Sequence, residues 1–105
     1  MTSKFIYPDV ISEILATCSD HVDGSASADA VQRSIQRGEV AVVAIEENDI
    51  RRFLTDIEGQ LELVKFTVDD DKQLSETQKI AGRVIAWFAQ RERRAGGYSP
   101  PFSGA

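Results

Sequence analysis

The sequence predicts an all-α domain, a small antiparallel bundle of four or five helices. Apolar side chains recur at the helical period through most of the chain, and most strongly over residues 43–68. Short segments rich in turn-forming residues separate the candidate helices. The alternative is an α+β domain with a short strand at 39–45.

The first helix is predicted over residues 9–21. Pro8 followed by Asp9 favours a helix start, because proline lacks only an N–H that has no acceptor in the first turn. One side of this helix is apolar, with Val10, Ile11, Ile14, Leu15, Cys18 and Val22.

The second helix is predicted over residues 28–37. Ser25 or Ser27 can cap its N-terminus, because a serine hydroxyl accepts a hydrogen bond from a first-turn N–H. Gly38 is expected to end it.

Residues 39–45 form a short β-branched run, which is typical of either a buried strand or a buried helical turn. The other candidate strand is residues 4–7, and a sheet of two strands is marginally stable by itself. Helix is therefore favoured.

The third helix is predicted over residues 40–68, with a break allowed. Branched side chains recur every seven residues in it, at Val43, Ile50, Ile57 and Val64. The aspartates at 69–71 end this apolar stripe, and Ser75 with Gln78 has the spacing of a capping box. A fourth helix is therefore predicted over 75–94.

One domain over residues 1–95 is expected to hold a single core, followed by a flexible tail at 96–105 that lacks any helical period. The predicted core consists of Phe5, Ile11, Ile14, Leu15, Ile35, Val43, Ile50, Leu54, Ile57, Leu61, Val64, Ile80, Val84, Trp87 and Phe88.

The net charge of −5 is unevenly distributed. Residues 1–71 hold fifteen Asp or Glu against six Lys or Arg, whereas residues 72–105 hold two against six. An acidic surface of this kind repels nucleic acid and favours basic partners, mainly by raising association rates.

The chain is expected to be cytoplasmic and not bound to membranes. No apolar run approaches the roughly 18 residues that span a bilayer, and the N-terminus lacks the apolar core of a signal peptide. The single cysteine, Cys18, cannot form an internal disulfide.

No metal or cofactor site is predicted. Cys18 and His21 have a zinc-like spacing, but structural zinc usually takes four Cys or His ligands and the chain has no second pair. The aspartates at 69–71 lack the pattern of a calcium loop. Cys18 and His21 are instead expected to be a buried thiol and an imidazole at the end of a helix.

The sequence also predicts that the protein is not an enzyme. It has one His, one Cys and scattered carboxylates, with no phosphate-binding glycine loop and no nucleophile motif. Glu58 and Glu62 lie four residues apart, which is typical of a solvated helix face.

The function expected is protein–protein binding, as an inhibitor, immunity or regulatory protein against a basic partner. Glu47, Glu58 and Glu62 are the predicted partner-binding residues. The alternative is a nucleic-acid-associated regulator, which would use the basic flank of the last helix. That flank consists of Lys79, Arg83, Arg93 and Arg94.

A homodimer is also predicted, because long apolar stripes in a small chain often exceed what one copy can cover. The predicted seam is formed by Val43, Ile50, Ile57 and Val64.

Overall fold

The computed structural model describes the backbone of residues 5–96 and the side chains of residues 5–93. These residues form four α-helices and one 3₁₀ turn, and they contain no β-strand. The helices are α1 (Pro8–Val22), α2 (Ala28–Ala41), α3 (Asn48–Thr67) and α4 (Asp70–Gly96), and the 3₁₀ turn is Ile45–Glu47. The predicted all-α bundle is confirmed. Residues 97–105 of the predicted tail lie outside the described residues.

Side-chain hydrogen bonds define the antiparallel register of the bundle. Three of them join α2 to α3, and along them the α2 number rises as the α3 number falls: Gln32 to Glu62, Gln36 to Glu58, and Thr55 to Glu39. α1 packs against α2 and α4, and His21 near the end of α1 bonds to Thr77 near the start of α4. Consecutive helices therefore run in opposite directions.

The predicted start of α2 is confirmed, but its predicted end is wrong. The Ser27 hydroxyl accepts a hydrogen bond from the Ala30 N–H at 3.1 Å, as a capping serine should. The helix continues past Gly38 to Ala41. Gly38 is buried between neighbouring helices, so its lack of a side chain serves close packing.

The third helix begins at Asn48, eight residues later than predicted, because the chain leaves the helical conformation between Ala41 and Asn48. The alternative strand at 39–45 is not formed. Val42 is buried and Ala44 has an extended backbone before the 3₁₀ turn. Since α2 and α3 are antiparallel, this segment has to reverse the chain direction, and its β-branched residues are poor helix formers.

α4 begins five residues before the predicted position. Asp70 and Asp71 lie in its first turn, where carboxylates interact favourably with the helix dipole. The capping box predicted from Ser75 and Gln78 is not formed, since both residues are inside the helix. The Gln78 amide instead donates to the His21 carbonyl at 3.1 Å, and this carbonyl at the end of α1 also accepts the Gly24 N–H.

One apolar core runs along the inner faces of the four helices. Most predicted core residues are buried, whereas Phe5, Leu15 and Trp87 are partly buried and pack against the core. Val43 is an error, because 64% of its surface is exposed. The predicted dimer seam is also wrong in its residues, because Ile50, Ile57 and Val64 are buried within the chain itself.

Two helical glycines allow a matched test of packing. A Cβ at Gly38 would lie 2.7 Å from Ile14 Cδ1 and 2.8 Å from Leu54 Cδ1, whereas nothing lies within 4 Å of a Cβ at Gly59. We expect Gly59→Ala to raise the free energy of unfolding by about 0.5–1 kcal/mol through helix propensity. Gly38→Ala should lower it by about 1 kcal/mol, because overpacking outweighs the same gain. Urea denaturation measures both, and equal stabilisation by the two substitutions would contradict the packing at Gly38.

Candidate functional site

The antiparallel fold gathers acidic residues from two separate segments at one end of the bundle. This end, here called the acidic end, comprises residues 18–32 and 62–76. It contains the turn between α1 and α2 and the turn between α3 and α4. The two segments hold eight Asp or Glu and two Lys. Charge that is spread along the sequence is therefore concentrated on one surface.

A pocket with an apolar base opens among α2, α3 and α4 at the acidic end. Its volume is about 220 Å³. The lining residues are Ala28, Asp29, Gln32, Leu61, Val64, Lys65, Gln73, Leu74 and Thr77. Leu61 and Val64 belong to the core, whereas Leu74 forms an exposed wall. We call this cavity the apolar pocket.

The polar side chains at the apolar pocket form hydrogen bonds and an ion pair within the chain. The Gln32 amide donates to Glu62, and its oxygen accepts from the Lys65 ammonium at 2.8 Å. Lys65 also lies 3.9 Å from an Asp29 carboxylate oxygen. The Gln73 amide donates to the Val68 carbonyl at 2.9 Å. A ligand in the pocket would therefore meet apolar surface surrounded by side chains that already have partners.

His21 lies behind Thr77 and is fully buried. Its Nδ1 lies 2.9 Å from the Ala26 carbonyl, which can only accept, so Nδ1 holds a hydrogen and donates. Nε2 lies 2.8 Å from the Thr77 hydroxyl oxygen, which is also 3.1 Å from the Leu74 carbonyl of its own helix. The predicted position of His21 at the end of α1 is confirmed, and the imidazole joins α1, the following turn and α4 beside the pocket.

The structure separates the three predicted partner-binding acids. Glu47 is buried, because only 3% of its surface is exposed. Its Oε2 accepts the Ile6 N–H at 2.9 Å, and its Oε1 has no hydrogen-bond partner among the described residues. Glu47 holds the segment before α1 against α3. It cannot meet a partner in this arrangement.

Glu58 and Glu62 are partly exposed and lie along the α2–α3 contact. Each accepts from a glutamine of α2, so part of its hydrogen-bonding capacity is used within the chain. Glu62 belongs to the acidic end, whereas Glu58 is one turn further from it. Their role in partner binding stays a prediction.

The carboxyl groups of Glu39 and Glu58 interact across α2 and α3, beside the hydrogen bonds that Thr55 and Gln36 donate to them. Burial and the contact with Glu58 raise the pKa of Glu39. The contact with Glu39, and then the Gln36 amide, lower the pKa of Glu58. Deprotonation of both groups therefore leaves two negative charges close together.

This pair predicts a pH-dependent effect of Glu39→Gln. Because the pKa of Glu39 is raised, its contribution to stability is complete below its ordinary value of 4.5 and is lost as the pH rises through the raised value. A glutamine amide donates to Glu58 at every pH. We expect the variant to gain about 0.3–1 kcal/mol over the parent at pH 7 and less at pH 4. Urea denaturation at both values measures the difference, with exposed Glu46→Gln as control, and an equal gain at both values would contradict it.

Three of the four basic residues predicted for the alternative function are exposed on α4. They are Lys79, Arg83 and Arg93. Lys79 forms an ion pair with Glu76 at 3.1 Å, whereas no ion pair of Arg83 or Arg93 occurs among the described residues. The Arg94 side chain lies outside the described residues.

Arg91 is a basic residue of α4 with a structural contact that the sequence did not reveal. Its guanidinium donates two hydrogen bonds to Asp49, at 2.8 and 3.2 Å, and lies 5.7 Å from the centre of the Phe5 ring. The Arg91 contact lowers the pKa of Asp49. This ion pair joins the start of α3 to the last part of α4, so Arg91 is not available to phosphate.

The described residues contain no cluster of three or more His, Cys, Asp or Glu side chains able to hold a metal ion. Cys18 is buried, and burial raises the pKa of its thiol to about 12. Both ring nitrogens of His21 have hydrogen-bond partners. The zinc-like spacing therefore corresponds to two core residues.

No helix in the described part of the chain has an apolar stretch long enough to span a bilayer. Comparison with known proteins adds no relative, since no family model, curated protein or solved structure matches the chain.

Proposed function

We propose that the protein binds a basic protein partner through the acidic end, as an inhibitor, immunity or regulatory protein without catalytic activity. The observation that supports this is the excess of eight carboxylates over two lysines in the two segments that the fold joins there. Such a surface attracts cationic side chains over about one Debye length, roughly 10 Å at 0.1 M salt. It accelerates encounter and repels acidic competitors.

Charge reversal at the acidic end tests the proposal. Asp20, Asp23 and Asp71 are exposed, and replacing all three by lysine changes the net charge by six units. A positive charge at positions 20 and 23 interacts favourably with the dipole at the C-terminal end of α1. This gain offsets the unfavourable interaction of a lysine at position 71 with the dipole in the first turn of α4. The variant is therefore expected to fold, which circular dichroism checks.

The matched control reverses three exposed acids elsewhere, Asp9, Glu46 and Asp56, and gives the same net charge. Each protein is immobilised and incubated with extract of the source cell, with and without nuclease treatment. We expect a basic protein to be retained by the parent and the control and lost by the acidic-end variant. Equal retention by all three proteins, or loss in both variants, would contradict a local acidic binding surface.

A second candidate function is favoured by the exposed cations of α4. Lys79, Arg83 and Arg93 could contact a phosphate backbone in a sequence-independent manner. Arg83→Ala with Arg93→Ala should then weaken binding to a DNA duplex and reduce its salt dependence. If nuclease treatment removes every retained partner, this second candidate replaces the first.

A further inference from the structure

The acidic end combines charge with a cavity, and the cavity gives the partner a more specific chemistry. Leu61 and Val64 form the base of the apolar pocket, and Leu74, which is 57% exposed, forms one wall. The cavity of about 220 Å³ is larger than the roughly 150 Å³ apolar cavity that can bind benzene in another protein. It can therefore receive one branched aliphatic side chain.

One carboxylate lines the pocket, and two more lie beside it. Asp29 lines it, and Glu62 is bonded to Gln32 in its wall. Asp70 lies on the same face of α4 as Leu74, one turn nearer the N-terminus. Lys65 offsets part of this charge through Asp29. The residues flanking an inserted side chain would meet a net negative rim.

We infer that the apolar pocket receives one aliphatic side chain from a basic segment of the protein partner. This inference depends on the proposed function and adds an anchor to it. The cationic residues of the segment pair with the acidic rim, while the aliphatic residue is removed from water by Leu61, Val64 and Leu74. Apolar anchors in pockets surrounded by polar contacts are typical of the residues that dominate binding energy at protein interfaces.

Two capped peptides test the anchor separately from the charge. The first is Lys-Lys-Leu-Lys-Lys, and the second has serine in place of leucine. Binding is measured by titration into isotope-labelled protein with amide shifts recorded by NMR. We expect both peptides to shift resonances of the acidic end and the leucine peptide to bind at least about tenfold more tightly, because it alone fills the pocket.

Leu74→Asp removes the exposed wall of the pocket, and Leu63→Asp is its matched control, because Leu63 is 62% exposed and does not line the pocket. The preference for the leucine peptide should vanish in the first variant and persist in the second. Equal binding of the two peptides to the parent protein, with shifts at the acidic end, would overturn the anchor and leave the proposed function intact. Absence of shifts at the acidic end for both peptides would overturn the anchor together with the proposed function.

Discussion

Replacing Phe88 by alanine should lower the free energy of unfolding by about 3–5 kcal/mol, the largest stability effect expected in this chain. The ring is 1% exposed. It meets Phe5, Phe53 and Trp87 edge to face, with ring centres 5.9, 6.0 and 5.1 Å away. Truncation leaves a cavity and removes three aromatic contacts that favour this geometry. Because a small domain is stable by about 5–15 kcal/mol, much of the total would be lost.

Urea denaturation followed by circular dichroism measures this loss. Phe66→Ala is the matched control, because its ring is 77% exposed, and it should change the free energy by less than about 0.5 kcal/mol. Trp87→Ala should have an intermediate effect. Its ring is partly buried and stacks on Phe53 at 4.1 Å. Similar losses for Phe88→Ala and Phe66→Ala would mean that the aromatic cluster is not the centre of the core.

The second large effect is expected at His21, where alanine should cost about 2–4 kcal/mol. The substitution creates a cavity at a fully buried site and removes the imidazole from the Ala26 carbonyl and the Thr77 hydroxyl, although the hydroxyl keeps its bond to the Leu74 carbonyl. A buried polar group left without a partner costs about 1–3 kcal/mol. The turn between α1 and α2 should also lose protection from hydrogen exchange, because the imidazole holds it.

Thr77→Val tests the contact with Nε2, because it keeps the shape of the side chain and removes the hydroxyl, which also bonds to the Leu74 carbonyl of its own helix. We expect a loss of about 1–2 kcal/mol. Thr67→Val is its control, since the Thr67 hydroxyl bonds to the Leu63 carbonyl on the exposed surface of α3. If Thr77→Val proved as harmless as Thr67→Val, the bond between α1 and α4 would contribute nothing.

The helices could be predicted from the sequence where a stripe of apolar residues identifies the buried face. Ile11, Ile14 and Cys18 in α1, and Ile50, Ile57 and Val64 in α3, are buried as their periodicity indicates. Residues 42–47 could not be predicted in this way. Their conformation depends on the need to reverse the chain between two antiparallel helices, which is a tertiary requirement that no local pattern expresses.

The burial of single residues such as Glu47 could not be predicted from the sequence either. Glu47 and Arg51 have the spacing of an exposed helical pair, but Glu47 precedes α3 and faces the segment before α1. Its bond to the Ile6 N–H is a contact between residues far apart in sequence, so spacing within one helix could not reveal it. Gly38 is similar, because its role depends on Ile14 and Leu54 of neighbouring helices.

The acidic end was not predicted from the sequence, because its residues belong to two segments that are far apart in the chain. The signal was present in part, since Asp20, Asp23 and the aspartates at 69–71 all flank predicted turns. An antiparallel bundle places alternate turns at the same end. In that topology the aspartates beside both turns lie at one end, which favours this end as the partner-binding surface over the flank of α3 that holds Glu58.

The central claim is that the acidic end steers association with a basic protein, and the association rate constant of the retained partner tests it most directly. Rates are measured for the parent, the variant with lysine at 20, 23 and 71, and the control with lysine at 9, 46 and 56, from low to high salt. We expect the parent rate to fall steeply with salt, the acidic-end variant to be slow with little salt dependence, and the control to remain closer to the parent. Identical rates and salt dependence for the parent and the acidic-end variant would contradict the claim.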